Sequence, residues 1–280
     1  MSVDCTIVIP HLNQHLSLEK CLDALQRQRT KFSYEIIIMD NGSVPAVDVT
    51  GINDCRLYVE TQAANPYVLR NLGVRISDSD YVAFLDARCE PQESWLDSMM
   101  RAAQKTGVAG GKYEVRADSE DLRDHVYPLL YLDNRKNIEK NYGITAGNLI
   151  VEKSLFDKYG GFDETHRSGS DISWTRQRLE DGERITYASD AIVMYPAQSW
   201  PELLIKVKKY AQGAAYHADA TKWRFRDFMP LGLETFRSAL AHRQMEHISI
   251  WTKYRLWVYA SMIKLRYHWI RYRYMNHEWM

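Results

Sequence analysis

No glycine-rich phosphate loop follows the first apolar run of this sequence, where PHLNQHLS stands instead. That excludes a GxGxxG dinucleotide fold and a nucleotidyltransferase that cradles phosphate on glycines, and no organic cofactor is implied. Cysteine is sparse: Cys5, Cys21, Cys55 and Cys89 share no CxxC spacing, which argues against a zinc site or disulfide framework and fits a reducing compartment. A run of about 18 uncharged apolar residues is missing too, and MSVDCTIVIP enters strand-like residues at once. Neither a secretory signal nor a spanning helix is expected, and the expected location is the cytoplasm. Charge of one sign is absent, since 36 Lys and Arg balance 36 Asp and Glu at a pI near 7.1. With no basic excess, no nucleic-acid partner is expected.

What is present is a core-forming composition, 45% hydrophobic and 12% aromatic over 280 residues. CTIVIP reads as a strand ended by proline, and LEKCLDALQRQ puts Leu18, Cys21, Leu22 and Leu25 on one helical face. YEIIIMDNGS is a strand closing at Asp40 on a turn, NPYVLRNLGVRIS a helix, and YVAFLDA a strand closing at Asp86. Apolar strands alternating with helices predict a parallel sheet covered on both faces, with ligands beyond the carboxyl ends of its strands. Further on, Pro91 is expected to open a helix, GGKYEVR and GITAGNLIV to be apolar runs, EKSLFDKYGG and DISWTRQRLEDGE to be short helices, and RITYA and AIVMYP to be two strands. From Trp200 onward the pattern is helical and rich in Trp, Tyr, Lys and Arg.

CTIVIPHLNQ, YEIIIMDNGS, LRNLGVRISDSDYVAFLDA, GGFDE and SGSDISW, in that order over residues 4 to 197, resemble the family 2 glycosyltransferases of GT-A fold. The resemblance implies an α/β catalytic domain at 1–199, with a mostly parallel Rossmann-like sheet flanked by helices. A helical, basic and aromatic extension is expected at 200–280, packed on that domain or lying at a membrane surface through 251–279. It also implies a nucleotide-diphosphate sugar donor, a UDP-sugar being favoured, and inverting single-displacement transfer to a glycan or lipid-linked acceptor. By that match Pro10, His11 and Asn13 wrap the nucleotide, Asp40 with Asn41 meets the base, and Arg70 with Asn71 lies near the donor. Asp86 matches the first acid of the DxD metal motif, and Asp171 matches the general base.

Each of these residues has a plainer reading. Asp171 after Gly169 and Ser170 is also a good helix cap, Asp40 an Asx-turn, and Arg70 part of a solvated helix face. Gly147 and Asn148 match a segment lining the acceptor and sugar pocket, or form a strand with a glycine bulge; Trp174 stacks on a sugar or belongs to the core. Where the family has its second metal-binding acid this chain has Arg88, and where a histidine often follows it has Tyr195. Either Arg88 replaces part of a metal's charge at the diphosphate, or Mg²⁺ or Mn²⁺ still binds through Asp86 while Arg88 pairs with Asp86 or Glu90. The rival to an enzyme is a weak or inactive carbohydrate-binding or assembly protein that kept the fold.

Overall fold

The computed structural model describes residues 3–116, 121–166, 168–216 and 249–276. They group into two compact units, Met1–Glu114 with Asp133–Pro196, and Val115–Leu132 with Ala197–Met280.

The first unit is built on one sheet. Its strands are β1 (Cys5–His11), β2 (Tyr34–Asp40), β3 (Cys55–Val59), β4 (Tyr81–Leu85), β5 (Glu90–Pro91), β6 (Val108–Arg116), β7 (Asn148–Glu152) and β8 (Thr186–Pro196), in the order β3-β2-β1-β4-β7-β6-β8-β5. Pairing is parallel among β3, β2, β1 and β4 and antiparallel for β4 with β7, β6 with β7 and β5 with β8. The sheet is therefore mixed. The inner strands of its parallel part are apolar and buried on both faces, Ile7, Val8 and Ile9 of β1 and Ile36 to Met39 of β2 having no exposed surface, whereas the edge strand β3 is partly exposed.

The helices of this unit are α1 (His15–Gln26), α2 (Pro66–Arg75), α3 (Trp95–Thr106), α5 (Asn134–Glu139), α6 (Lys153–Lys158) and α7 (Ser170–Glu180). Asn65 caps α2, accepting from the Tyr67 and Val68 amides, and Pro66 takes the first helical position. Three local expectations are corrected. β1 runs through Pro10 to His11; its β4 pairing stops at Val8, so the proline lies clear of that ladder. Pro91 lies in β5 opposite Val193, and α3 starts at Trp95. RITYA and AIVMYP belong to one continuous strand, β8, whose polar Ser189 and Asp190 are exposed.

In the second unit, a 3-10 turn (Leu122–His125), α4 (Val126–Tyr131), α8 (Trp200–Tyr216) and α9 (Ile250–Asn276) pack together. Lys206 lies 4.0 Å from the centre of the Tyr127 ring and donates to its hydroxyl at 2.8 Å. Of the helical stretch expected from Trp200 to Met280, residues 217–248 and 277–280 lie outside the described residues.

Helix α2 sits directly on β1 because residue 73 has no side chain. A Cβ there would lie 2.5 Å from Cγ1 of Val8. Gly73→Ala is expected to lower stability by about 1–2 kcal/mol in urea unfolding, because overpacking outweighs the alanine's better helix propensity. Adding Val8→Ala should cost less in the Gly73→Ala background than in the wild-type protein; equal cost in both would separate the two residues.

Candidate active site

Two clusters form where β1, β2 and β4 end. In the first, Asp40 closes β2 opposite His11 in register. Its Oδ1 accepts from His11 Nδ1 at 2.8 Å and from Ser43 Oγ at 2.5 Å, and its Oδ2 accepts from the amides of Gly42 at 3.1 Å and Ser43 at 2.8 Å. The Asx-turn reading of Asp40 thus describes its geometry. Four donors fill the acceptor capacity of a carboxylate. Burial alone would raise the Asp40 pKa, but the Ser43 and His11 bonds outweigh it and hold the group below the usual aspartate value.

The same contacts order the loop after β1. His11 Nε2 accepts the Gln14 amide at 3.0 Å, which leaves Nδ1 as the ring's donor toward Asp40. Asn13 adopts a left-handed conformation, φ 52°; its amide donates to Ser43 Oγ and its Oδ1 accepts from Val44. Asn41 donates to the Ala63 carbonyl at 3.1 Å, and its buried Oδ1 has no partner among the described residues.

The second cluster follows β4. Residues 86–89 form a tight turn in which the Cys89 amide donates to the Asp86 carbonyl at 2.9 Å. Arg70 reaches over from α2, and its Nη2 meets Asp86 Oδ1 at 2.6 Å. This corrects the solvated-face reading of Arg70, whose side chain is only 7% exposed. Burial works against its charge, but Asp86, Asp171 and Tyr67 more than offset that cost, so its pKa lies above the ordinary arginine value. The expectation that Arg88 pairs with Asp86 is also corrected, since Asp86 has taken Arg70. Arg88 instead donates Nε to Gln14 Oε1 at 3.0 Å.

Tyr67 extends the cluster. Its ring lies 5.6 Å from the Arg70 guanidinium carbon, and its hydroxyl donates to Asp171 Oδ1 at 3.0 Å while accepting from the Gly169 amide at 2.7 Å. Burial first, and then the Asp171 charge, push the Tyr67 pKa up, which keeps the phenol a donor. Asp171 lies in the first turn of α7; its Oδ1 also accepts its neighbour Ile172's amide, and among the described residues its Oδ2 accepts only the Ala146 amide, at 2.7 Å. That segment touches Asp86 as well, because a Cβ on Gly147 would lie 2.8 Å from Asp86 Oδ2. Asp86, Arg70, Tyr67, Asp171 and the 146–147 backbone are one continuous network.

Three other expected site residues are committed elsewhere. Asn148 is fully buried, accepting from Trp95 Nε1 at 2.8 Å and donating to the Lys112 carbonyl at 3.0 Å. Trp174 is a core residue, tilted against Phe156 and edge-on to Phe162, which corrects its expected place in a sugar pocket. Asn71 holds the 162–164 segment through the Phe162 carbonyl and amide and the Glu164 carboxylate. Tyr67 and Gln14 were missed in the sequence. For Tyr67 the signal was its place three residues before Arg70 on α2, on the same helical face.

The donor set does not make a metal site by itself. Among the described residues no three His, Cys, Asp or Glu side chains gather. Asp86 has one oxygen paired to a guanidinium, residue 88 is a cation, and Tyr195 is buried edge-on against Tyr113.

A mixed α/β sheet with acids and arginines grouped at its strand ends is the GT-A arrangement of sugar-nucleotide transferases. The chain belongs to glycosyl transferase family 2, whose family model matches residues 6–160, and its activity is that of a glycosyltransferase. It is 28% identical over 218 residues to glycosyltransferase AglE of Haloferax volcanii, covering 74% of this chain and 72% of AglE; other curated relatives are matched over less of their length, down to 11% for chondroitin synthase of Pasteurella multocida. The fold is similar to mannosyltransferase PcManGT of Pyrobaculum calidifontis, solved with GDP-Man and Mn²⁺, at a TM-score of 0.55, 15% identity and coverage of 97% and 72% of the two chains. It is also similar to residues 1–349 of S. aureus TarS with UDP, at 0.53, 15%, 98% and 91%.

Because the folded pKa of Asp40 is depressed, its stabilising contribution is fully present above the unfolded aspartate value, about 3.9. It disappears as pH falls through the folded value. Asp40→Asn places an amide against the Gly42 and Ser43 donors, so its urea midpoint at pH 7 should lie below the wild-type one. The gap should close as pH falls below about 4; a gap independent of pH would mean that the carboxylate charge contributes nothing.

Proposed function

We propose that the first unit transfers a sugar from a nucleotide-diphosphate donor, a UDP-sugar being favoured, to a hydroxyl of a glycan or lipid-linked acceptor, with inversion. The observation that carries this reading is the network joining Asp86 and Arg70 to Asp171. It joins a guanidinium of the kind that suits a leaving diphosphate, Arg70, to a carboxylate of the kind that takes a proton, Asp171.

In this reading the nucleotide lies along the ends of β1 and β2. Pro10, His11 and Asn13 shape the loop, and the base meets the Asp40–Asn41 turn. Asn41 Oδ1 is a buried acceptor there with no partner among the described residues, whereas the Asp40 oxygens are occupied. The diphosphate lies at the 86–89 turn, met by Arg88 and by Arg70. Guanidinium forks suit phosphate oxygens and need no reorganisation when charge builds on the leaving group. The missing side chain of Gly147 leaves room for the Asp86 carboxylate and the Tyr113 hydroxyl to close on that backbone beside the donor.

The acceptor oxygen attacks the anomeric carbon from the face opposite the diphosphate. As the new C–O bond forms, the bond to the phosphate oxygen breaks, and the acceptor proton passes to Asp171. Oδ2 is the competent atom, since it accepts a single hydrogen bond while Oδ1 accepts two. Tyr67 keeps that carboxylate aimed. A divalent cation, when bound through Asp86 Oδ2, would add charge neutralisation at the diphosphate; the residues present do not fit such a site on their own, and no step here depends on one.

Asp171→Asn should keep nucleotide-diphosphate affinity by calorimetry while turnover falls by about 10² or more, because the proton acceptor is gone while shape is retained. Near-normal turnover would leave Asp171 as the residue that ties α7 to Ala146.

The cationic site is tested separately. Wild-type protein should retain most of its sugar-transfer activity in EDTA, and Arg88→Ala should lose about 10²–10³ in turnover, the scale for one preorganised donor. Activity abolished by EDTA together with a nearly silent Arg88→Ala would hand the role to a metal on Asp86. No release of nucleotide diphosphate from any donor sugar, with or without acceptor, would overturn this reading of the site.

A further inference from the structure

Helix α9 is apolar on two opposite sides. Leu256, Ala260, Ile263 and Ile270 are buried where the helix packs on α8 and α4. At about 100° per residue, Trp251, Val258, Met262, Leu265 and Trp269 fall on a second stripe, roughly opposite the first. Trp251, Met262 and Trp269 are 74%, 52% and 54% exposed. Exposed Tyr254 and Tyr272 border this stripe on one side, and exposed Arg255, Arg266 and Arg273 border it on the other. The Arg273 guanidinium carbon lies 5.2 Å from the centre of the Trp269 ring.

A contiguous exposed patch of two tryptophans, methionine and tyrosines marks a contact surface. Its charge selects the partner. Residues 250–276 contain Lys253, Arg255, Lys264, Arg266, Arg271 and Arg273 and no Asp or Glu. A second copy packed on this face would set arginines against arginines, with no acid on the helix to answer them. An anionic lipid surface matches each part: indole and phenol rings settle at the headgroup level, thioether and leucine reach the acyl boundary, and arginines lie among the phosphates on extended stems. The stripe from Trp251 to Arg273 would lie along the surface for about 33 Å at 1.5 Å per residue. Among the described residues no helix is long and apolar enough to cross a membrane, so the contact is one of lying on the bilayer.

We propose that the outer face of α9 seats the protein on an anionic lipid bilayer, with Trp251, Met262 and Trp269 entering the interface and Arg255, Arg266 and Arg273 contacting lipid phosphates. The inference is independent of the sugar chemistry assigned to the first unit.

The test is co-sedimentation of the full chain with vesicles of phosphatidylcholine alone or mixed with phosphatidylglycerol. Binding should need phosphatidylglycerol, weaken with added salt, and shift tryptophan emission to the blue. Arg255→Gln with Arg266→Gln and Arg273→Gln should reduce binding by about 10²-fold, near one kcal/mol per cation. Trp251→Ser with Trp269→Ser should also weaken it, by about 10-fold. Both sets change exposed side chains, and circular dichroism checks that each variant keeps wild-type helix content. Equal binding to the two vesicle types, or binding that both variant sets leave unchanged, overturns the proposal. So does a concentration-dependent dimer, broken by the tryptophan pair, in a protein that ignores phosphatidylglycerol.

Discussion

The arrangement of the site depends on one buried cation, Arg70. A guanidinium out of water is tolerated only beside compensating charge, and Arg70 finds it in Asp86 at 2.6 Å, with Asp171 and the Tyr67 ring nearby. That requirement works in both directions. It holds the Asp86 carboxylate at the end of β4, and it keeps the Tyr67 hydroxyl, one turn earlier on α2, aimed at Asp171. Losing the cation would leave the buried Asp171 and the Tyr67 phenol near a partly exposed Asp86 with no positive charge between them.

The backbone has to be close for this to work. Helix α2 presses on β1 where Gly73 meets Val8, and the 146–147 segment approaches Asp86 because Gly147 carries no Cβ. Gly143, at φ +80°, has Ile172 backbone 2.1 Å from where a Cβ would lie. The segment is thereby laid against the first turn of α7, which lets the Ala146 amide reach Asp171. Glycine at these positions does structural work that no side chain could, and it sits beside the acids rather than in a phosphate loop.

Much of this was legible in the sequence, for a physical reason. A strand buried on both faces reads as an unbroken apolar run, and the first polar residue after it marks the strand end where ligands of such sheets bind; Asp40 and Asp86 were found that way. The antiparallel half was less clear. β8 reads as two strands because Ser189 and Asp190 interrupt its apolar pattern, yet exposed polar residues do not stop an antiparallel ladder. Pro91 resembles a helix start, but its ladder partner on β8 claims it. Trp174 and Asn148 looked like sugar contacts, and whether a residue faces a pocket or the core depends on which neighbour packs over it, here Phe156 and Trp95. Tyr67 and Gln14 carry no motif; their roles arise from partners more than 70 positions away.

Replacing an acid by Arg88 changes how the strand end handles charge. A DxD pair presents two anions that attract a divalent ion, whereas here Arg70 already neutralises one oxygen of Asp86 and Arg88 adds a fixed positive charge in the same turn. Gln14 steadies that guanidinium, and Gln14 is itself held by His11, whose other nitrogen is held by Asp40. The loop that would wrap the nucleotide and the cation that would meet its diphosphate are therefore coupled through three hydrogen bonds. A disturbance at the base end of the site reaches the phosphate end without moving a strand. In a metal-centred site the ion would set the diphosphate geometry; with Arg88 in that role the geometry would depend instead on the Asp40–His11–Gln14 chain of hydrogen bonds.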